Sequence, residues 1–482
     1  MCKELLILRS LFNYYLINYF SGFIMALFVV FIFVIGYIAI TMEHVLRTDK
    51  LIPALLMMTF AWIGVSLGMG DFIEWFDGEK IMDISAYTEA ERTSLLESSL
   101  LHHLGKTAEI LIFLIGAMTI VEIIDHFNGF SVIKGFVKTN KKLSLLWIIG
   151  GLAFVLSAII DNLTSTIVLI TIMRKLIKDR EDRLWFAGLI VIAANSGGAW
   201  SPIGDVTTTM LWMGDKVTAI KLMEYVLLPA LVSFVVPFTF VSFMKRFKGR
   251  FDIPENEEAA NGNGSLMLYV GLIMIVFVPV LKGVFGLPPY LGMMFSLAIV
   301  SIFGEVVSAR EFKMSFAGVT KESKEYQEKK NGKGPTMLAL TKIEMPSILF
   351  FLGILMTVAA MESLGLIFNF GTSVQEAMHI DLFIIILGLA SAVIDNVPLV
   401  AASMGMFDLP MDHMVWHFIA YSAGTGGSVL IIGSAAGVVA MGMERISFFW
   451  YVKKISGLAL LGFFAGAGVY LLERILTGTA TM

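Results

Sequence analysis

The amino-acid sequence predicts an all-α polytopic membrane protein. It is built as two inverted structural repeats, each with one re-entrant hairpin and one discontinuous transmembrane helix. Three observations carry this prediction. First, the 482 residues are 57% hydrophobic and 15% charged, with a mean hydropathy of +0.82, whereas a soluble chain carries roughly 25% charged residues. Second, the apolar runs have helical length rather than the short alternating pattern of a membrane barrel. Third, Ser157-Ala158-Ile159-Ile160-Asp161-Asn162 returns as Ser391-Ala392-Val393-Ile394-Asp395-Asn396. A charge at the bilayer centre costs roughly 2.5–3.5 kcal/mol or more. Two such acids in matching surroundings therefore suggest a duplicated site.

Apolar segments fall near 14–40, 51–69, 107–127, 143–173, 186–213, 220–244, 265–287, 289–306, 344–367, 380–407, 414–443 and 452–474. The first follows Lys3 and Arg9, as in a signal peptide. No small-residue cleavage site precedes Gly22, so the segment is expected to stay attached. Residues 70–106, with eight acidic and three basic side chains, read as a polar outer loop, and His102-His103 as a pair within it. Residues 251–264, ending in Asn261-Gly262-Asn263-Gly264, read as a linker. Residues 307–342 hold eight Lys/Arg, including those of the Lys329–Gly334 run, and read as a solvated cytoplasmic loop.

The connections near 131–142, 174–184 and 245–250 are rich in Lys and Arg, which places them on the cytoplasmic side. Segment 143–173 then enters and leaves on that side. It leaves only about 15 residues per arm, short of the roughly 20 a crossing helix needs, so it reads as a hairpin with Asp161-Asn162 at its tip. Segment 186–213 crosses outward and 220–244 returns. The second half follows the same scheme upside down. Segment 380–407 is a hairpin with Asp395-Asn396 at its tip, and 414–443 is the second broken helix. The repeats are thus expected over 1–250 and 265–482.

Further landmarks keep the same order. Met118-Thr119 matches Met356-Thr357, and Asn195-Ser196-Gly197-Gly198 with Gly204-Asp205 matches Gly424-Thr425-Gly426-Gly427 with Gly433-Ser434. Inverted repeats with discontinuous helices place a transporter's site near the midplane. Irregular backbone at that depth is tolerated where it lines a cavity or is buried in protein, although glycines also serve close helix packing.

The chemistry of the deep residues points to a small cation. Asp161, Asp205 and Asp395 supply carboxylates. Asn162, Asn195, Asn396, Ser196, Thr207, Thr208, Thr425 and Ser428 add neutral oxygens. These are hard ligands suited to hard cations. A buried carboxylate that can hold either a proton or a cation yields exchange by competition. Glu109 and Glu122, at opposite ends of 107–127, are candidates for proton access. A net charge of −4 and a pI near 6.0 give no sign of a nucleic-acid partner. The single cysteine, Cys2, excludes intrachain disulfides and a thiolate cluster. No cofactor is expected, and the partners are the lipid bilayer and the transported ions.

Glu109–Glu122, Ser157–Thr166, Gly197–Trp212 and His417–Met443, with landmarks at Gly116–Glu122, Pro202–Trp212 and Ser422–Ser428, resemble the NhaD-type sodium/proton antiporters of the ion-transporter superfamily. The resemblance runs from about residue 40 onward. It implies extrusion of Na⁺, and commonly Li⁺, coupled to proton uptake, with elevator-type alternating access. It also implies Na⁺ ligation at Asp161, Asn162, Asp205, Asp395 and Asn396, and importance for Glu109, Asn195, Thr207, Thr208, Thr425 and Ser428. Thr425 departs from the serine expected in many relatives but keeps the hydroxyl. A bacterial inner-membrane location and a homodimer are the matching expectations. The alternatives are a carboxylate or arsenite carrier of the same superfamily and, more remotely, an intramembrane aspartyl protease. The carrier would want Lys/Arg or helix N-termini near the site. The protease would need two carboxylates sharing a proton.

Overall fold

Long apolar runs fold as helices because only helices satisfy every backbone donor and acceptor internally. The computed structural model describes residues 2–42, 46, 48–77, 80–135, 139–251, 262–315 and 334–477. Among these, nine helices are long and apolar enough to cross a membrane. The principal helices are α1 (Cys2–Thr41), α2 (Leu51–Gly68), α3 (Glu89–His126), α4 (Lys142–Ile160), α5 (Asn162–Leu176), α6 (Arg180–Gly198) and α7 (Val206–Met213). They continue as α8 (Ala219–Ser242), α9 (Gly262–Phe285), α10 (Pro289–Ser315), α11 (Met345–Ser363) and α12 (Leu366–Ala377). The last are α13 (Ile380–Ala390), α14 (Asn396–Met406), α15 (Met414–Gly426), α16 (Ala435–Glu444) and α17 (Gly457–Leu476).

The chain divides into two compact units, and each draws on both halves of the sequence. The first contains residues 1–111, 345–383 and 397–410. Its core brings Val29, Trp62, Val65 and Met69 against Met356, Ala359 and Ala360. The Trp62 indole N–H donates to the Met356 carbonyl at 2.8 Å. Here the predicted polar loop over 70–106 is overturned. Strands β1 (Glu74–Asp77) and β2 (Lys80–Asp83) pair antiparallel, and α3 begins at Glu89. Thr88 and Glu91 form a capping box: Thr88 N–H and Oγ1 each donate to Glu91 Oε2 at 2.8 Å, and Glu91 N–H donates back to Thr88 Oγ1 at 3.4 Å. Buried Arg92 donates to the Met69, Phe72 and Ile84 carbonyls, at 2.5, 2.9 and 2.7 Å, and holds the hairpin on α2. His102 and His103 therefore lie on a helix, not in a loop, and His103 Nε2 lies 3.3 Å from Ser363 Oγ. The apolar run 344–367 is likewise not one element. Gly365, at φ 67°, ends α11 and starts the separate α12.

The second unit contains residues 112–344, 384–396 and 411–482. Helices α4 and α5 are the arms of the first predicted hairpin, and they meet at Asp161. The arms are 19 and 15 residues, so the entering arm is longer than the 15 expected and by itself reaches spanning length. Each arm of the second hairpin has 11 residues, about 16 Å, or half a bilayer. Both predicted broken helices are broken, α6 from α7 over residues 199–205 and α15 from α16 over 427–434. The linker is shorter than its composition suggests, because Gly262, Asn263 and Gly264 already belong to α9. Of the Lys329–Gly334 run, residues 329–333 lie outside the described residues. Behind the broken helices, α8 packs on α17. Pro237 leaves the Ser233 carbonyl without its helical donor, and Gly462 of α17 lies directly against that carbonyl, where a side chain would not fit.

Candidate ion-binding site

The first hairpin turns on one residue. Asp161 has φ 83° and ψ 161°, a region that is essentially glycine-only and costs about 1–3 kcal/mol for another residue. The side chain explains why aspartate stands there. Asp161 Oδ1 accepts from Thr164 N–H at 2.7 Å and Oδ2 from Thr164 Oγ1 at 3.0 Å, so the carboxylate caps α5. The Asp161 carbonyl accepts from Ser165 Oγ at 2.6 Å. Asn162 is turned the other way, and its Nδ2 donates to Asn195 Oδ1 on α6 at 3.0 Å.

The two breaks are built alike. Asp205 stands at the N-cap position of α7 at φ −149°, ψ 152°, without a side-chain bond to that helix's backbone, and Ser434 caps α16 at φ −146°, ψ 153°. A Cβ on Gly204 would lie 2.9 Å from the Ser157 carbonyl, and one on Gly433 would lie 2.6 Å from the Ser391 carbonyl. Only glycine lets the hairpin backbone approach the break so closely. Ser157 Oγ donates to the Ala194 carbonyl at 2.6 Å, and Ser391 Oγ to the Ala423 carbonyl at 2.8 Å. Each conserves the same bond between a hairpin and its own broken helix.

The caps differ chemically. Asp205 Oδ2 accepts from Asn396 Nδ2 at 2.8 Å and from Thr207 Oγ1 at 3.0 Å, so the tip of the second hairpin is tied to the break of the first half. Ser434 Oγ accepts from Asn195 Nδ2 at 2.9 Å and from Gly437 N–H at 3.2 Å. Asn162, Asn195 and Ser434 therefore form one buried neutral chain. Asp205 also lies within electrostatic reach of both Asp161 and Asp395, and like charge repels like across the three. Asp205 is nearly fully buried, while Asp161 and Asp395 are partly buried.

The other predicted residues are placed less centrally. Thr208 Oγ1 donates to the Asp205 carbonyl at 2.9 Å. Thr425 Oγ1 donates to the Tyr421 carbonyl and Ser428 Oγ to the Thr425 carbonyl, both at 2.6 Å. These hydroxyls spend their protons on backbone and keep oxygen lone pairs free. Ser196 Oγ turns toward α8 and donates to Ser233 Oγ at 3.3 Å. Glu109 lies on α3 in the first unit, and Glu122 lies in the second. Thr164 and Ser434 were not among the predicted ligands, although an acid three residues before a threonine is an N-cap spacing. Asp161 and Asp205 set carboxylates among amide and hydroxyl oxygens, hard donors suited to a cation or a proton, although among the described residues no three acidic, histidine or cysteine side chains are grouped closely enough to hold a metal ion.

A family model described as citrate transporter matches residues 37–420. The chain is 40% identical to sodium/proton antiporter 1 of Arabidopsis thaliana over 447 residues, 91% of this chain and 71% of that one. It is 30% identical to the Na⁺/H⁺ antiporter NhaD of Alkalimonas amylolytica over 462 residues, 91% and 89% of the two chains. Its fold is similar to that of the YdaH transporter of Alcanivorax borkumensis, with a TM-score of 0.55 at 11% identity over 88% of this chain and 98% of that one. By the extent of the family match and of the antiporter relatives, this multi-pass membrane protein belongs to the NhaD-type sodium/proton antiporters.

Proposed function

We propose that this chain exchanges Na⁺, and also Li⁺, for H⁺ across the membrane. The observation that carries the reading is Asp205. It is a buried acid held by Asn396 and Thr207 and flanked electrostatically by Asp161 and Asp395. In the proposed site, Asp161, Asn162, Asp205, Asp395 and Asn396 ligate the cation. Asn195, Thr207 and Thr208 position them, and Thr425, Ser428 and Ser196 line the second broken helix and its neighbours. Glu109 and Glu122 serve proton access. A cation and protons compete for the same oxygens, so each arrives as the other leaves.

The matched cap dihedrals and paired serine bonds support a duplicated architecture over residues 1–250 and 265–482. Combined with the basic connections, they support inverted orientation and elevator-type alternating access in a bacterial inner membrane, with a homodimer as the assembly to test. The family model's description raises citrate as a rival cargo. A carboxylate substrate would need donors at the site. Here the N-terminus of α5 is already capped by Asp161, and that of α16 by Ser434.

The test is dissipation of a pH gradient in everted vesicles on adding Na⁺ or Li⁺ between about pH 7 and 9.5, where buried carboxylates can still exchange protons. A labelled-citrate uptake arm runs beside it. A cation response without citrate uptake supports the reading. No response to either cation across that range refutes it.

A further inference from the structure

The second unit contains a cavity of about 850 Å³ between α3, α5, α16 and residues 342–344. Its deep end reaches Thr164, whose hydroxyl is bonded to the Asp161 carboxylate at 3.0 Å. Its wall then follows one face of α5 through Ile167 and Thr171 to Lys175. Eleven residues of helix cover about 16 Å, the distance from a hairpin tip at mid-depth to a membrane surface. That face of α5 is not packed away: Thr164 is partly exposed, and Ile167 and Thr171 are exposed. On the opposite wall, Glu122 stands one turn from Asp125. At the other end of the α5 face the lining includes Lys175, in the basic connection that the charge distribution assigns to the cytoplasmic side.

We propose that this cavity is the water-filled access passage by which a hydrated monovalent cation, or a proton, reaches Asp161 from the basic face. Thr164 stands at its inner end as a positioning residue. The proposal rests on the exchange function above for what travels through it, but not for its being wet and open to one side. Polar groups line it at both ends, its volume accommodates water, and its lining is one hydrogen bond from a proposed ligand. An apolar crevice filled by lipid would have no need of Glu122 facing inward at that depth. Glu122 thereby acquires a definite place. It stands on the route to Asp161 rather than in the ion's coordination.

Because Cys2 is the only cysteine, accessibility can be read cleanly. In a Cys2→Ala parent, single variants Ile167→Cys and Thr171→Cys are exposed to a small, charged, membrane-impermeant thiol reagent. Everted vesicles and right-side-out cells are compared. Val155→Cys, at an exposed position of α4 outside the cavity lining, is the control for lipid exposure. Both cavity positions are expected to react at least tenfold faster in everted vesicles than in right-side-out cells, and at least tenfold faster than the control. Labelling is expected to cut cation-dependent exchange at least tenfold relative to the same variant unlabelled. Unreactive cavity positions, reaction from the outer face alone, or labelling that leaves exchange intact would each overturn the passage. If the Cys2→Ala parent shows no exchange while the labelling pattern holds, the function fails and the passage stands.

Discussion

Replacing Asn396 by alanine removes one of the two side-chain donors that the structure aims at Asp205 Oδ2. The Asn396 bond is 2.8 Å long and buried at both ends, with 4% of each residue exposed. A hydrogen bond to a charged group contributes about 1.5–3 kcal/mol, and every 1.4 kcal/mol is tenfold in affinity. Asn396→Ala should therefore raise the apparent KM for Na⁺ about 10- to 150-fold. The remaining donor on that oxygen is Thr207 Oγ1 at 3.0 Å. Because the two donors share one atom, Asn396→Ala and Thr207→Val should not be additive, with an interaction energy of about 0.5–3 kcal/mol. The assay is the Na⁺ dependence of gradient dissipation in everted vesicles, with protein amount checked by immunoblot. A KM within threefold of wild type in a normally expressed Asn396→Ala protein would show that Asn396 is not part of the site. Full additivity with Thr207→Val would show that the two donors do not act on one carboxylate.

Asp161→Gly should remove both charge and cap but relieve a backbone at φ 83°. It should lose exchange while its melting temperature falls by less than that of Asp161→Ala, which keeps about 1–3 kcal/mol of strain. An alanine variant as stable as the glycine variant would contradict this. Asp161→Asn and Asp395→Asn should each abolish exchange with expression intact, and normal exchange in either would mark that box as structural. Ser434→Ala should leave Asn195 Nδ2 without its acceptor and lower stability by about 1–3 kcal/mol, read as a drop in melting temperature. An unchanged temperature would mean that water replaces the hydroxyl. Glu444, buried and paired with Arg174 Nε at 2.9 Å and Arg183 Nε at 3.1 Å, clamps the end of α16 to α5 and α6. Glu444→Gln should cost about 3 kcal/mol, the lower end for a broken buried pair, because Arg174 remains half in water. Unchanged thermal stability would show the clamp to be ornamental.

The features legible in the sequence were those where a residue is out of place. An Asp-Asn pair closing an apolar run, twice, marks both hairpin turns. Glycine clusters inside long apolar segments mark both breaks, because a helix cannot run smoothly through backbone that must lie against another backbone. The misreadings came where local chemistry contradicts bulk composition. Residues 70–106 are acidic enough to look like a loop. Yet Thr88-Glu89-Ala90-Glu91 is a capping box, and Arg92 finds three carbonyls that only the folded hairpin brings together. The pairings at the site were illegible for a different reason. Asn195 bonds Ser434 and Asn396 bonds Asp205 across 239 and 191 residues. No spacing rule reaches so far. Hydropathy can place both partners at one depth but cannot choose which hydroxyl meets which amide.

The unequal caps also account for how a duplicated fold can serve exchange. In both halves the backbone at the break has the same dihedrals, so geometry alone would give two equivalent half-sites. Chemistry separates them. The first break carries a carboxylate and takes its amide from the opposite half, Asn396. The second carries a hydroxyl, and its amide, Asn195, is already held by Asn162. The neutral chain needs no ion to be satisfied, so it can keep the two broken helices in register whether the site is loaded or empty. The charged node is different, because Asp205 cannot share its surroundings with ionised Asp161 and Asp395 without opposing charge. None of the side-chain hydrogen bonds at Asp161 and Asp205 comes from a lysine or an arginine. In the proposed site the compensating positive charge comes from outside, as a cation or as protons. A site that is never comfortable when empty and ionised favours swapping one for the other over releasing both, which is the condition that exchange requires.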